Sequence, residues 1–107
     1  MTEATVQVDH NGDGGVRITV AGELDMDNAA SVEQQILAAI SNQLTSVTLD
    51  LSGLDYIDSA GLRVLFTLGT RLAILQIAFQ LVVPPESPIR RMVDVSGLSG
   101  TVRIASN

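Results

Sequence analysis

A chain of 107 residues with 46% apolar content is long enough to bury one modest core, and residues 1–107 are expected to form one domain. The absence of cysteine excludes disulfides, thiolate zinc sites and cysteine nucleophiles, and fits a reducing compartment such as the cytoplasm. A formal net charge of -6, with arginine as the only strong base, opposes nucleic acid and acidic membrane surfaces, so no direct nucleic-acid partner is expected.

The opening Met1-Thr2-Glu3-Ala4 has no basic region followed by an apolar block, so no secretory signal is expected. Val6 and Val8, then Val16, Ile18 and Val20, alternate with polar neighbours, as in half-buried strands. The glycine-rich Asn11 to Gly15 between them predicts a hairpin turn. Ala29, Val32, Ile36 and Ile40 recur at helical spacing, and Val47, Leu49 and Leu51 mark a third strand. Leu62, Leu65, Phe66, Gly69 and Leu72 predict a second helix. Its apolar continuation does not predict membrane insertion, because Arg63, Arg71, Gln76 and Gln80 interrupt residues 62–83 and charges within a bilayer are costly. Phe79, Leu81 and Val83 give a fourth strand. A short third helix is announced by Ser87 as cap, Pro88 at its first position and Gly97 as its stop, and Val102 and Ile104 close the chain with a fifth strand.

The order β-β-α-β-α-β-α-β predicts an α/β fold, an N-terminal hairpin followed by parallel β/α units in a five-stranded mixed sheet. Strands buried on both faces read as continuous apolar runs, whereas these are apolar on alternate residues only. The helices are therefore expected mainly on one face of the sheet.

Several segments carry possible chemistry. Asp9-His10-Asn11-Gly12-Asp13-Gly14 matches the first half of a calcium loop, but Val20 occupies the position that needs a bidentate carboxylate, so a hairpin turn is the better reading. His10 is the sole histidine, which leaves no multi-histidine metal site, and no nucleophile and base are recognisable. No metal, no cofactor and no catalytic activity are expected. The carboxyl ends of parallel strands share one rim of a sheet, where ligands and partners bind. That rim collects Glu23, Asp25 and Asp27 after the second strand and Asp55, Asp58 and Ser59 after the third, followed by residues 84–87 after the fourth. Asp25 and Asp27 are expected to cap the first helix, and Asp58 the second with Ile57 as its hydrophobic staple. Ser59 has two readings at this point. It is either part of a structural cap or, because a helix start favours negative charge, a place for phosphate.

The segments Gly22-Glu23-Leu24-Asp25 and Val47 to Leu62, ending in Ile57-Asp58-Ser59-Ala60-Gly61-Leu62, resemble the STAS domain, specifically the stand-alone bacterial anti-sigma factor antagonists. The resemblance extends through Ile89-Arg90-Arg91-Met92 and Ser96-Gly97-Leu98. Relatives often carry glycines where this chain has Leu75-Gln76-Ile77-Ala78. The resemblance implies a mixed sheet with helices on one side and a regulator of sigma factor release. It implies that an anti-sigma factor with a serine-kinase fold phosphorylates Ser59, that the unphosphorylated form binds this partner, and that a PP2C-type phosphatase resets the switch. Glu23, Asp25, Asp58 and Ser59 are then expected at the partner surface, with Gly61 letting the partner backbone approach and Leu62 in the core. A second reading under the same resemblance is a STAS regulatory subunit of a membrane transport complex.

Overall fold

Alternation decides which side of the sheet is buried. In the computed structural model, which describes residues 3–107, Val16, Ile18 and Val20 are buried, while Arg17 and Thr19 between them are only half-buried. They belong to β2 (Gly15–Leu24), which pairs antiparallel with β1 (Ala4–His10) through the predicted hairpin. In that turn Gly12 and Gly14 take φ of 83° and 91°, a region that glycine enters without penalty, and the Asp13 carboxylate accepts from the Gly15 N–H at 2.9 Å.

The remaining strands are β3 (Ser46–Asp50), β4 (Leu54–Ile57), β5 (Ala78–Val82) and β6 (Arg103–Ala105). The main path runs β1-β2-β3-β5-β6, with β3, β5 and β6 added in parallel, and β4 pairs with the far end of β2. The sheet therefore has six strands rather than the expected five. The extra strand, β4, is four residues long with only its ends buried, so it lacks the period-two signal that reveals a strand.

Three helices follow the expected order: α1 (Ala29–Ala38), α2 (Ser59–Ile74) and α3 (Arg90–Val95). The inward residues of α1 and α2, among them Val32, Ile36, Val64, Leu65, Leu68 and Leu72, join the alternate strand residues Val16 to Val20, Val47, Leu49 and Leu81 in one apolar cluster. Each such side chain contributes about 1.5–3 kcal/mol when fully buried. The opposite sheet face carries Arg17, Thr48, Gln80 and Arg103 in register, so the helices do lie mainly on one side. The third helix starts at Arg90, two residues later than expected. Ser87 is not its cap; its hydroxyl accepts from the Ile89 N–H at 3.3 Å in the preceding turn.

Two further features set the rim. Along β2 the partner changes from β3, paired through Thr19, to β4, paired from Gly22, and a bulge between Gly22 and Glu23 shifts the register within the β4 pairing. Gly22 has a φ of 103°, and a Cβ there would meet the Glu3 carbonyl oxygen at 2.4 Å, so the backbone at this bulge requires glycine. On the open face, Asp50 ends β3 with a buried carboxylate that accepts from the Ser52 N–H at 2.9 Å and hydroxyl at 2.7 Å, and pairs with the Arg17 guanidinium on β2. Burial alone would raise the Asp50 pKa. The two Ser52 hydrogen bonds and the Arg17 charge outweigh it and hold the carboxyl below its ordinary value.

Candidate functional site

Asp58 organises the rim. It is the N-cap of α2 with extended backbone, and its Oδ1 accepts from the Ala60 N–H at 2.9 Å and the Gly61 N–H at 3.1 Å. These are two of the donors that a helix start leaves unpaired. Its Oδ2 accepts from the Met26 N–H at 3.1 Å, which ties the β2–α1 loop to the head of α2. The Asp58 N–H in turn donates to the Leu24 carbonyl at 3.3 Å, continuing the contact between β2 and β4. The expected cap is thus present, and the same carboxylate also joins two loops.

Because Asp58 caps the helix, Ser59 does not. Ser59 is the first helical residue, its side chain is exposed, and its hydroxyl makes no hydrogen bond among the described residues. It stands on a ridge between two grooves. One, of about 480 Å³, lies between α1 and α2 and is also lined by Met26, Ala30, Glu33 and Arg63. The other, of about 240 Å³, lies on the β4 side and is lined by Asp55, Tyr56, Ile89 and Met92.

The other expected residues sort into different roles. Glu23 is exposed at the end of β2, opposite Tyr56 in register, and Asp25 begins the loop that holds Met26. Neither lines the Ser59 grooves. Asp25 and Asp27 do not cap α1 with their side chains. The Asp25 carboxylate accepts from the Asp27 N–H at 2.9 Å, and the N-cap position belongs to Asn28. Asn28 also turns its side chain backward, accepting from the Asp25 N–H at 3.0 Å and donating to the Glu23 carbonyl at 2.8 Å. The loop is therefore closed on itself before the helix begins.

Gly61 is buried, and a Cβ on it would lie 2.6 Å from Ile57 Cγ1 and 3.0 Å from the Leu24 carbonyl oxygen. The close approach that demands glycine is that of α2 to the ends of β2 and β4, inside the molecule. Leu62 is half-buried and packs against the core cluster.

Sequence reasoning missed the apolar side chains around Ser59. Met26 is 78% exposed, Tyr56 49% and Met92 39%, and all three line one of the two grooves. Met26 stands in the otherwise acidic Glu23 to Asp27 segment, which was the available signal, whereas the exposure of Tyr56 and Met92 depends on how β4 and α3 pack. Scattered exposed apolar residues are ordinary, but three beside one exposed serine form a surface suited to a protein partner. The grooves are also lined by Glu33, Asp55 and Asp58, with Arg63 as the base at the larger one, and Glu23, Asp25 and Asp27 flank Met26 in the chain.

Comparison with known proteins gives the family. The family model described as "Mlab, STAS domain" matches residues 6–104. The anti-sigma-F factor antagonist RsfB of Mycobacterium tuberculosis is 31% identical over 98 residues, covering 92% of this chain and 77% of that protein. This chain belongs to the STAS domain family. Among solved structures, an anti-sigma factor antagonist from Mycobacterium paratuberculosis superposes with a TM-score of 0.86 at 28% identity, over 98% of this chain and 87% of that one. The anti-sigma factor antagonist SpoIIAA in its unphosphorylated form shares the fold at a TM-score of 0.75 and 22% identity, over 94% and 88% of the two chains. A Bacillus SpoIIAA in the phosphorylated form shares the fold at a TM-score of 0.66 and 22% identity, over 94% and 91% of the two chains. Among the described residues no helix is long and apolar enough to cross a membrane.

Proposed function

We infer that this protein is an anti-sigma factor antagonist that acts by binding, without catalysis of its own, and that Ser59 is its phosphorylation site. Its partner is an anti-sigma factor with a serine-kinase fold, bound while Ser59 is unmodified, so that the sigma factor is released for transcription. The observation that carries this reading is the Ser59 hydroxyl, exposed and unbonded because Asp58 has taken over the cap. The relatives named as anti-sigma factor antagonists support it.

In the modification step the Ser59 Oγ attacks the γ-phosphorus of ATP. The new O–P bond forms as the bond to the ADP oxygen breaks, and the hydroxyl proton passes to a base of the kinase. A PP2C-type phosphatase reverses it by hydrolysis, returning serine and inorganic phosphate. The phosphate adds about 1.5–2 negative charges to a rim that is already acidic, while the head of α2 partly stabilises them. The fold survives and the docking surface is spoiled. A like-charge conflict of several kcal/mol lowers affinity on the order of a thousandfold.

The partner surface comprises Ser59 with Glu23, Asp25 and Asp58 around it and Met26, Tyr56 and Met92 as apolar contacts, and it suits a partner with a basic rim and apolar pockets. The test is to incubate the protein with the kinase-type anti-sigma factors of its own genome and ATP, then locate phosphate by mass spectrometry. Ser59→Ala is expected to bind whether or not ATP is present, and Ser59→Glu to bind on the order of a hundredfold more weakly. Equal affinity of the two variants removes Ser59 from the mechanism, and binding to none of these factors overturns the partner assignment.

A further inference from the structure

We propose that Arg63 holds the phosphate of phosphorylated Ser59, so that the modified serine and this arginine close together over the groove between α1 and α2. The proposal rests on phosphorylation at Ser59. It is motivated by the disposition of Arg63. The residue is exposed, lies one turn along α2 from Ser59 and lines the same groove of about 480 Å³. Among the described residues its side chain makes no hydrogen bond and no ion pair, as is true of Arg71, Arg91 and Arg103, whereas Arg17 and Arg90 have carboxylate partners; Arg63 alone of the arginines lines a groove with Ser59. Its guanidinium donors are thus free to meet an anionic acceptor placed within reach on the same face of the helix.

Side chains four apart on a helix have Cβ atoms about 5–6 Å apart, within reach of an arginine and a phosphate. The guanidinium fork matches two phosphate oxygens at once, and a phosphoserine brings three strong acceptors. The charged groups facing this groove are Glu33 from α1, Asp58 at the N-cap of α2 and Arg63 within α2. Glu33 and Asp58 repel the dianionic phosphate, so Arg63 is the group that makes its presence there tolerable. The consequence for the switch is steric as well as electrostatic. A paired phosphate and guanidinium occupy the groove beside Met26 that an unmodified serine leaves open.

The experiment uses the full chain with phosphoserine encoded at position 59, so no kinase is needed. The second ionisation of its phosphate is followed by phosphorus NMR in otherwise unmodified protein, in Arg63→Gln and in Arg63→Lys. Pairing favours the dianion, so the phosphorylated chain with Arg63 intact should titrate roughly half a pH unit below phosphorylated Arg63→Gln, with Arg63→Lys in between. The difference should shrink in ~1 M salt, since the pair is exposed. Thermal melts of the unphosphorylated variants are expected to coincide, because Arg63 holds nothing before modification. Coincident titrations of the phosphorylated chains with Arg63 and with Arg63→Gln overturn the proposal. The parent reading is judged separately, by comparing the affinity of phosphorylated and unphosphorylated protein for the anti-sigma factor. Equal affinities there defeat the switch while the titration still decides the pairing.

Discussion

At the scale of single residues, the rim is a division of labour between neighbours. Asp58 accepts from the N–H groups of Met26, Ala60 and Gly61, and the adjacent Ser59 is left with an exposed hydroxyl and no structural duty. Asp58→Ala should cost about 1–2 kcal/mol of stability in urea unfolding, the value of a lost N-cap with its carboxylate. Asp58→Asn separates the two jobs. Its one remaining acceptor oxygen can stay on the α2 amides, so most of the stability is retained, but its amide group cannot accept from Met26. Hydrogen exchange at the Met26 N–H should then accelerate while Ala60 and Gly61 stay protected. Loss of protection at all three amides alike would contradict this division. The cap was legible from the Asp-Ser pair ahead of an apolar helical pattern. The link to Met26 was not, because it joins residues 32 apart in sequence and depends on β4 lying against β2.

Among the elements, β2 and α2 do most to place the site. Strand β2 pairs first with β3 and then, from Gly22 on, with β4, and that second pairing carries Ile57 and Asp58 to the mouth of the β2–α1 loop. Gly61 then lets α2 descend onto Leu24 and Ile57. Gly61→Ala gains up to about 1 kcal/mol of helix propensity, but its Cβ would sit far inside the contact distance of Ile57 and the Leu24 backbone. The expected net result is a loss of about 1–3 kcal/mol, read from the midpoint of denaturant unfolding, because a crowded core shifts backbone rather than a flexible tip. A variant as stable as the parent would mean that α2 can lift away without cost. The helices were readable from their three-and-four spacing. The missed strand β4 was not, since four residues with only the ends buried carry no period.

For the whole molecule, burial and charge are separated by the sheet. One face is covered by helices and holds the apolar cluster, while the open face holds the Arg17–Asp50 pair that joins β2 to β3. The folded state binds Asp50 as a carboxylate, and its pKa is lower than that of an unfolded aspartate, about 4. Its stabilisation is therefore complete above that unfolded value and is lost as pH falls through the lower folded value. Asp50→Asn should be less stable than the parent by about 1–2 kcal/mol at neutral pH, and the gap should narrow in acid below about pH 4. A gap independent of pH would mean that the carboxylate charge contributes nothing there.

The sequence alone determined the fold class, the side on which the helices pack and the acidic rim with Ser59 at a helix start, because those follow from periodicity and from the short-range chemistry of caps and turns. The tertiary structure decided that Asp58 also ties down the Met26 loop, why position 61 is glycine, that Met26, Tyr56 and Met92 line the grooves beside the free hydroxyl, and that the Arg63 side chain stands unpaired in one of them. Each of these depends on which segments meet in space. Local pattern fixes how a segment folds and which face it buries, but the neighbours of a side chain are set by strand pairing and helix docking between residues far apart in the chain.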